Sequence, residues 1–327
     1  MTDVSASTDD ALLRLRDVSV EFIVDEVRVS AVDKVTLDVS AGEIMGLVGE
    51  SGCGKTTLAM AIVGLLAINA RIGGEIRFRG LDVLRMSESE RRKLRGGQIG
   101  MVFQDPLSSL DPAFSIGSQV ADTIEVHGHV SNHQARARAI ELLRDVGIPS
   151  PEQRYSDPPH QFSGGMRQRV VIAAALANEP DLILADEPTT ALDVTIQAQI
   201  LALLQELAVQ HHTSIVLIAH DLGVVAQLCD RVGVMYAGQL VEVASVADIF
   251  AQPLHPYTRA LLAAVPSAEQ APGTLLVIEG QVPDLSDPPP GCRFAPRCPH
   301  RMPVCTERPP SFTRTPAHTV ACWLYVE

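Results

Sequence analysis

The sequence predicts an α/β fold with a mainly parallel sheet, and three stretches predict it. Ile44-Met45-Gly46-Leu47-Val48 reads as a buried strand that runs into the glycine loop Gly49-Glu50-Ser51-Gly52-Cys53-Gly54-Lys55-Thr56-Thr57. Leu58, Ile62, Leu65 and Leu66 then recur at the spacing of a helix with one apolar face. Farther on, the apolar runs Asp181 to Asp186 and Ser214 to His220 bracket an amphipathic helix, Gln197 to His211. Strands and helices that alternate around such a loop argue for a sheet covered by helices.

The glycine loop fits the pattern G-x-x-x-x-G-K-[ST] in its required context, after a strand and before a helix. Gly49, Gly52 and Gly54 let backbone N–H groups turn inward around a phosphate chain, because no Cβ blocks the approach. Ser51, Cys53 and Thr57 complete the cradle, and the helix offers its positive end to the same anion. Lys55 supplies a mobile cation for the β- and γ-phosphates, and the Thr56 hydroxyl suits Mg²⁺. From average residue usage the bare pattern arises by accident in roughly one chain of this length in a hundred, and the flanks lower that further.

With 327 residues, 46% apolar and 20% charged, the chain can bury one large core or two modest ones. A net charge of −13 without a dense Lys/Arg cluster argues against nucleic acid as a partner and against attachment to anionic lipid. No apolar stretch approaches the length of a membrane span. Met1 to Asp10 is polar and acidic, unlike a secretion signal, and reads as a disordered tail. The expected location is the cytosol, with any membrane role exercised through a partner.

Between Leu12 and Val39 the alternation Leu13/Leu15, Val18/Val20/Phe22, Val27/Val29 and Val35/Leu37/Val39 predicts an antiparallel sheet of short strands. Phe22, the sole aromatic there, suits either stacking on an adenine ring or a half-buried strand position. Gly73-Gly74 breaks the pattern before a strand over 75–80, and Ser87 to Arg95 reads as a short exposed helix. Gln98 to Phe103 is apolar enough for a core strand and delivers Gln104 to its end; Pro106 and Pro112 then enforce loop. A helix over Ala135 to Val146 stops at Gly147 and Pro149, a loop covers Pro151 to Pro159, and Val170 to Ala177 reads as a buried helix. Beyond about Pro253 proline and cysteine concentrate, which predicts a separate C-terminal element.

Ser163-Gly164-Gly165-Met166-Arg167-Gln168, placed before the Asp186-Glu187 strand end, resembles the signature of ABC transporter ATPases. Gln104 stands where that family has its Q-loop glutamine, Ala191-Leu192-Asp193 matches the D-loop, and His220 matches the switch histidine. The resemblance implies an ABC-type P-loop ATPase over residues 11–254: a RecA-like core, an antiparallel β subdomain, and a helical signature subdomain over about 105–178. Residues 255–327 would form a small Pro/Cys-rich extension. Phe103-Gln104-Asp105-Pro106, Pro159-His160, the run from His255 to Leu262 and Pro290-Gly291-Cys292-Arg293-Phe294 are similar to the oligopeptide/dipeptide importer branch. Met166, where many family members have glutamine, is common in that branch.

What the resemblance implies is ATP hydrolysis by in-line attack of water on the γ-phosphate, coupled to import of peptides, or in some relatives of nickel chelates or other solutes. Glu187 would orient or deprotonate the water, with the solvated strand-end acid as the plain alternative. Asp186, Thr56 and Gln104 would hold Mg²⁺, and His220 would contact the γ-phosphate and steady Glu187. Ser163, Gly164, Gly165 and Asp193 would close over ATP bound to a second ABC ATPase subunit, either another copy of this chain or, as the resemblance favours, a related one, two nucleotides being sandwiched head to tail. Two transmembrane permease subunits would dock the segment after Gln104, placing the chain on the cytoplasmic face of the membrane, with an extracytoplasmic peptide-binding protein delivering the cargo.

Cys292, Cys298, Cys305 and Cys322 follow one another after five, six and sixteen intervening residues. Disulfides suit a cytosolic chain poorly, and zinc usually shows tighter pairs. Four thiolates also suit an iron–sulfur cluster, and the C-x-F-x-P-R-C-P run resembles the importer region for which a [4Fe–4S] cluster is implied. Zinc, or four unliganded thiols, remain the alternatives. A non-membrane ABC clamp and a kinase-like phosphotransferase share the glycine loop; the first usually needs features this chain lacks, and the second has no use for the 163–165 signature or the His220 strand.

Overall fold

The computed structural model describes residues 11–128, 130–190, 192–265, 278–315 and 317–326. The expected tail over 1–10 and Ala191 of the D-loop match lie outside the described residues. Two compact units emerge, the first from Met1–Ser40, Ile44–Arg85 and Ala219–Glu327, the second from Ala41–Glu43 and Met86–Ile218.

The first unit begins with β1 (Ala11–Val24) and β2 (Val27–Ser40), then β3 (Ile44–Val48), α1 (Lys55–Ile62), β4 (Ala70–Phe78) and β5 (Leu81–Asp82). β1 and β2 are antiparallel, with left-handed Asp25 and Glu26 between them, the two-residue turn whose twist matches that of its strands. Where the sequence suggests several short strands, two strands of 14 residues form. The polar interruptions at Asp17 and Lys34 are left-handed bulge residues, φ 48° and 50°, so the pairing shifts register there and continues. β4 and β5 extend this sheet in the order β2-β1-β4-β5, and Leu13, Leu15, Val18, Val20, Ile76 and Phe78 supply its buried side.

The second unit holds α2 (Glu88–Leu94), β6 (Ile99–Val102), α3 (Pro106–Ser109), α4 (Ile116–Gly128), α5 (Asn132–Asp145), α6 (Pro151–Arg154), α7 (Gly164–Ala175), β7 (Leu182–Asp186), α8 (Val194–His211) and most of β8 (Ser214–Ala219). β6, β7 and β8 pair in parallel, and every residue of β7 and β8 is buried, the composition of strands covered on both faces. α5 starts at a capping box between Ser131 and Gln134, earlier than its apolar pattern suggested. α4 was not expected, although Ile116, Val120, Ala121 and Ile124 lie buried at helical spacing. Where a loop was expected over 151–159, the single turn α6 begins at Pro151. α7 starts at Gly164, six residues before the expected apolar helix, because Ser163 caps it.

Back in the first unit come α9 (Leu222–Leu228), β9 (Arg231–Tyr236), β10 (Gln239–Ser245), α10 (Val246–Ala251), α11 (Pro256–Ala263), β11 (Ser311–Thr315) and β12 (His318–Ala321). β9 pairs in parallel with β3, and β10, β12 and β11 follow as antiparallel neighbours. The C-terminal segment is therefore not set apart: Glu242 pairs with Val320 and Val243 with Thr319, so the chain end widens the same sheet. Phe294 packs against both Tyr236 and Tyr257, ring centroids 5.1 and 5.4 Å away, and all three rings are buried. Burying large aromatic surface is what ties a proline-rich segment, poor in regular structure, onto the sheet. Among the described residues no helix is long and apolar enough to cross a membrane.

Candidate functional site

In the first unit the glycine loop joins β3 to α1 along Gly49 to Gly54. Gly49, at φ 156°, passes so close to the backbone that a Cβ would stand 2.1 Å from the Met235 carbonyl oxygen. Gly54 is left-handed at φ 100°, and a Cβ there would meet the Ala31 carbonyl at 2.3 Å. Both positions exclude any other residue, which is the physical content of the glycine pattern. The Lys55 side chain is buried, with its ammonium donating to the Gly49 carbonyl at 2.8 Å and the Glu50 carbonyl at 3.1 Å. Cys53 Sγ lies 3.6 Å from the same nitrogen, and burial pushes its thiol up despite that cation. Thr56 is exposed and Thr57 half-buried in the first turn of α1, which carries no acidic residue, so the helix end keeps its positive character. Phe22 is half-buried on β1, opposite Val29 and Ala70. His220 follows β8 directly and is exposed, while Asp221 caps α9 through the Gly223 amide at 2.7 Å.

The second unit brings Gln104 and Glu187 together. Gln104 follows β6 at a short interval and Glu187 directly follows β7; Gln104 Nε2 donates to Glu187 Oε2 at 3.0 Å. Thr190 donates its hydroxyl to that same oxygen at 2.8 Å, a contact the sequence reading missed. Its signal was local: three residues past an acid, Thr190 closes a turn whose amide reaches the Glu187 carbonyl at 3.1 Å. Glu187 is left-handed at φ 43°, an uncommon conformation for a residue with a Cβ, and its amide donates to the Ile218 carbonyl at 3.0 Å. Asp186, the last residue of β7, is buried. An apolar strand thus delivers one buried and one half-buried acid, the second held by an amide and a hydroxyl.

The signature residues meet the start of α8. Ser163 Oγ accepts from the Met166 amide at 3.3 Å and caps α7. Asp193 Oδ1 accepts from the Ile196 amide at 3.0 Å and caps α8. A Cβ on Gly165 would stand 2.6 Å from Ile196 Cγ2, whereas one on Gly164 would make ordinary contact with Leu192 at 3.6 Å. Gly165 is therefore required by helix packing, and the two helix starts are fixed against each other.

The four C-terminal cysteines lie within electrostatic range of one another. Burial pushes the Cys292 thiol up to about 11, with Cys305, Cys322 and Cys298 adding to it. Cys298 and Cys322 are raised for the same reasons. Yet among the described residues no three His, Cys, Asp or Glu side chains gather closely enough to hold a metal ion. The expectation of a metal site is corrected to that extent. The cysteines come from separate short turns and from the residue after β12.

The family pattern described as ABC transporter matches residues 32–190, and that described as oligopeptide/dipeptide transporter, C-terminal region, matches residues 241–305. A probable peptide ABC transporter ATP-binding protein, y4tR of Sinorhizobium fredii, is 49% identical over 318 residues, covering 96% of this chain and 95% of that protein. The dipeptide transport ATP-binding protein DppD of Bacillus subtilis is 48% identical, with 96% and 95% covered. The oligopeptide transport ATP-binding protein OppD of Escherichia coli is 47% identical, with 97% and 94% covered. Among solved structures, the ATP-binding cassette MJ0796, dimeric in a post-hydrolysis state with ADP and phosphate, superposes with TM-score 0.64 at 30% identity, over 72% of this chain and 98% of that one. The Clostridium perfringens CbiO1, part of an ABC transporter complex, gives 0.63 at 28% identity, with 74% and 92% covered. With its glycine loop, its signature and its paired strand-end acids all accounted for, this chain belongs to the ABC transporter family, in the branch that carries the oligopeptide/dipeptide transporter C-terminal region.

Proposed function

We propose that the chain is the ATP-hydrolysing subunit that powers import of di- or oligopeptides through a membrane ABC transporter. The observation that carries this reading is full-length similarity to peptide-transport ATP-binding proteins, extending through the C-terminal region. Nickel chelates or another small solute are the second reading for the cargo, whose recognition would lie in other subunits.

Catalysis here is positioning and charge stabilisation. Lys55 and the amides of Gly49, Ser51, Gly52, Cys53 and Gly54 hold the phosphate chain, and Phe22 offers a face to the adenine. Glu187 aligns the attacking water and draws off its proton, while the Gln104 and Thr190 donors keep that carboxylate in one orientation. His220 steadies the γ-phosphate. Thr56, Gln104 and Asp186 offer the hard oxygen donors that suit Mg²⁺, which neutralises charge on the phosphates when bound. Ser163, Gly164, Gly165 and Asp193 face a second nucleotide held by a related ATPase subunit, and two permeases hold the pair at the cytoplasmic face of the membrane. A binding protein outside delivers the peptide.

The four cysteines are read as ligands of a [4Fe–4S] cluster. Their mutual electrostatic influence and the all-thiol donor set are what support this reading. The reading of 255–327 as the importer-type extension is supported by the C-terminal pattern over 241–305. The test of the whole is purification of the tagged chain from membranes: hydrophobic permease subunits should co-purify, and peptide with its binding protein should stimulate hydrolysis. Co-purification with ribosomes or DNA would contradict it.

A further inference from the structure

Glu50, inside the glycine loop, is held at each of its polar groups. Its carbonyl accepts from the Lys55 ammonium at 3.1 Å. Its amide donates to the Tyr257 hydroxyl at 3.0 Å, and Tyr257 is wholly buried on α11. Its carboxylate receives the Arg297 guanidinium in a forked pair, 2.9 Å to Oε2 and 3.3 Å to Oε1. Arg297 is itself fixed: it donates to the Tyr236 hydroxyl at 3.2 Å and to the Glu279 and Ile278 carbonyls at 2.9 Å each, and its side chain is 6% exposed.

A second arm reaches the loop at Cys53. The Gly238 amide donates to the Cys53 carbonyl at 2.9 Å, from the left-handed turn Ala237-Gly238. Arg293 holds that turn through the Ala237 carbonyl, and anchors on Ser30 Oγ at 2.9 Å and Asp33 at 3.3 Å. A Cβ on Gly238 would meet Arg293 at 2.8 Å, so turn and guanidinium fit without slack. Tyr257, Arg293 and Arg297 all belong to the C-terminal region, far along the chain from the loop they hold.

A carboxylate in an anion-binding loop is a liability, because it repels the phosphates the loop must take. The forked guanidinium cancels that charge and fixes its direction, as a planar bidentate donor does and an ammonium does less well. We propose that the C-terminal region is a working part of the nucleotide site, with Arg297 a positioning residue that neutralises and orients Glu50 so that the loop accepts triphosphate. This rests on the proposed ATP-binding role of the loop.

The test is the affinity of the full chain for MgATP, read with a fluorescent ATP analogue and by competition with ATP. Wild type serves as the control on the loop assignment itself: no binding by wild type would remove that assignment before the proposal is reached. Given wild-type binding, Arg297→Met should weaken affinity about tenfold, or ~1.4 kcal/mol, and Arg297→Lys should recover part of it. The double variant Glu50→Gln/Arg297→Met should bind more tightly than Arg297→Met alone, since the unpaired acid is gone; a purely structural role for Arg297 would not give that rescue. Unchanged affinity in Arg297→Met overturns the proposal, as does a double variant no better than the single one. If Arg297→Met fails to fold, the same comparison between Arg297→Lys and Glu50→Gln/Arg297→Lys decides it.

Discussion

Gln104 Nε2 stands 3.0 Å from Glu187 Oε2, which joins the residue just past β6 to the one just past β7. β6 and β7 are parallel neighbours, so their C-terminal ends rise side by side, and ligand sites in α/β sheets form at such ends.

Removing either donor to Glu187 should loosen a carboxylate that must hold one direction. A hydrogen bond to a charged group contributes about 1.5–3 kcal/mol. Gln104→Ala is expected to lower kcat roughly tenfold or more and to weaken MgATP binding as well through the lost Mg²⁺ donor, whereas Thr190→Ala should lower kcat less and leave MgATP affinity within about twofold. Steady-state hydrolysis alongside equilibrium nucleotide binding checks both.

Gly165 and Gly164 should respond differently to alanine. The added methyl at Gly165 overlaps Ile196 Cγ2, a branched position close to its own backbone. Such overpacking costs about 1–3 kcal/mol, so Gly165→Ala should lower Tm by several degrees, and Gly164→Ala, which meets Leu192 at ordinary contact distance, should change it little. Differential scanning calorimetry of the two variants is the check.

Much of this half of the site was legible in the sequence, for a local reason. Gly49, Gly54 and Ser163 owe their identity to their own backbone angles, close approaches or caps, and such demands show in a pattern of residue types. Thr190 was missed because one threonine in a turn carries no periodicity. α4 carries its apolar spacing in the sequence but follows Pro106 and Pro112 closely, and proline's fixed φ and missing N–H predict loop there. The joining of β12 to β10 pairs residues almost eighty positions apart, and a four-residue strand among prolines gives no warning of its partner.

His255 predicts a dependence of stability on pH. Burial, with Arg259 adding to it, depresses its pKa from 6.5 to about 3, and its Nδ1 accepts from the Tyr257 amide at 3.0 Å. A histidine kept neutral in the fold but free to protonate when unfolded favours unfolding in acid. Its contribution is complete above the unfolded pKa of 6.5 and falls below it by about 1.4 kcal/mol per pH unit until near pH 3. Urea denaturation should show roughly that loss between pH 7.5 and 5.5, and His255→Asn, which can still cap α11, should flatten the slope.

Protein purified without oxygen should carry iron and acid-labile sulfide, about four of each per chain, and Cys298→Ser should lose both together. Zinc near one per chain, or no metal, would contradict the cluster and leave the ATPase assignment standing.

The central claim, that this chain hydrolyses ATP with Glu187 aligning the water, is met most directly by one comparison. MgATP binding and phosphate release are measured on wild type and Glu187→Gln in the intact transporter complex. The variant should bind MgATP as tightly as wild type and release phosphate at least ~100-fold more slowly, the span expected on losing a positioned base. Release at the wild-type rate by Glu187→Gln would contradict the account.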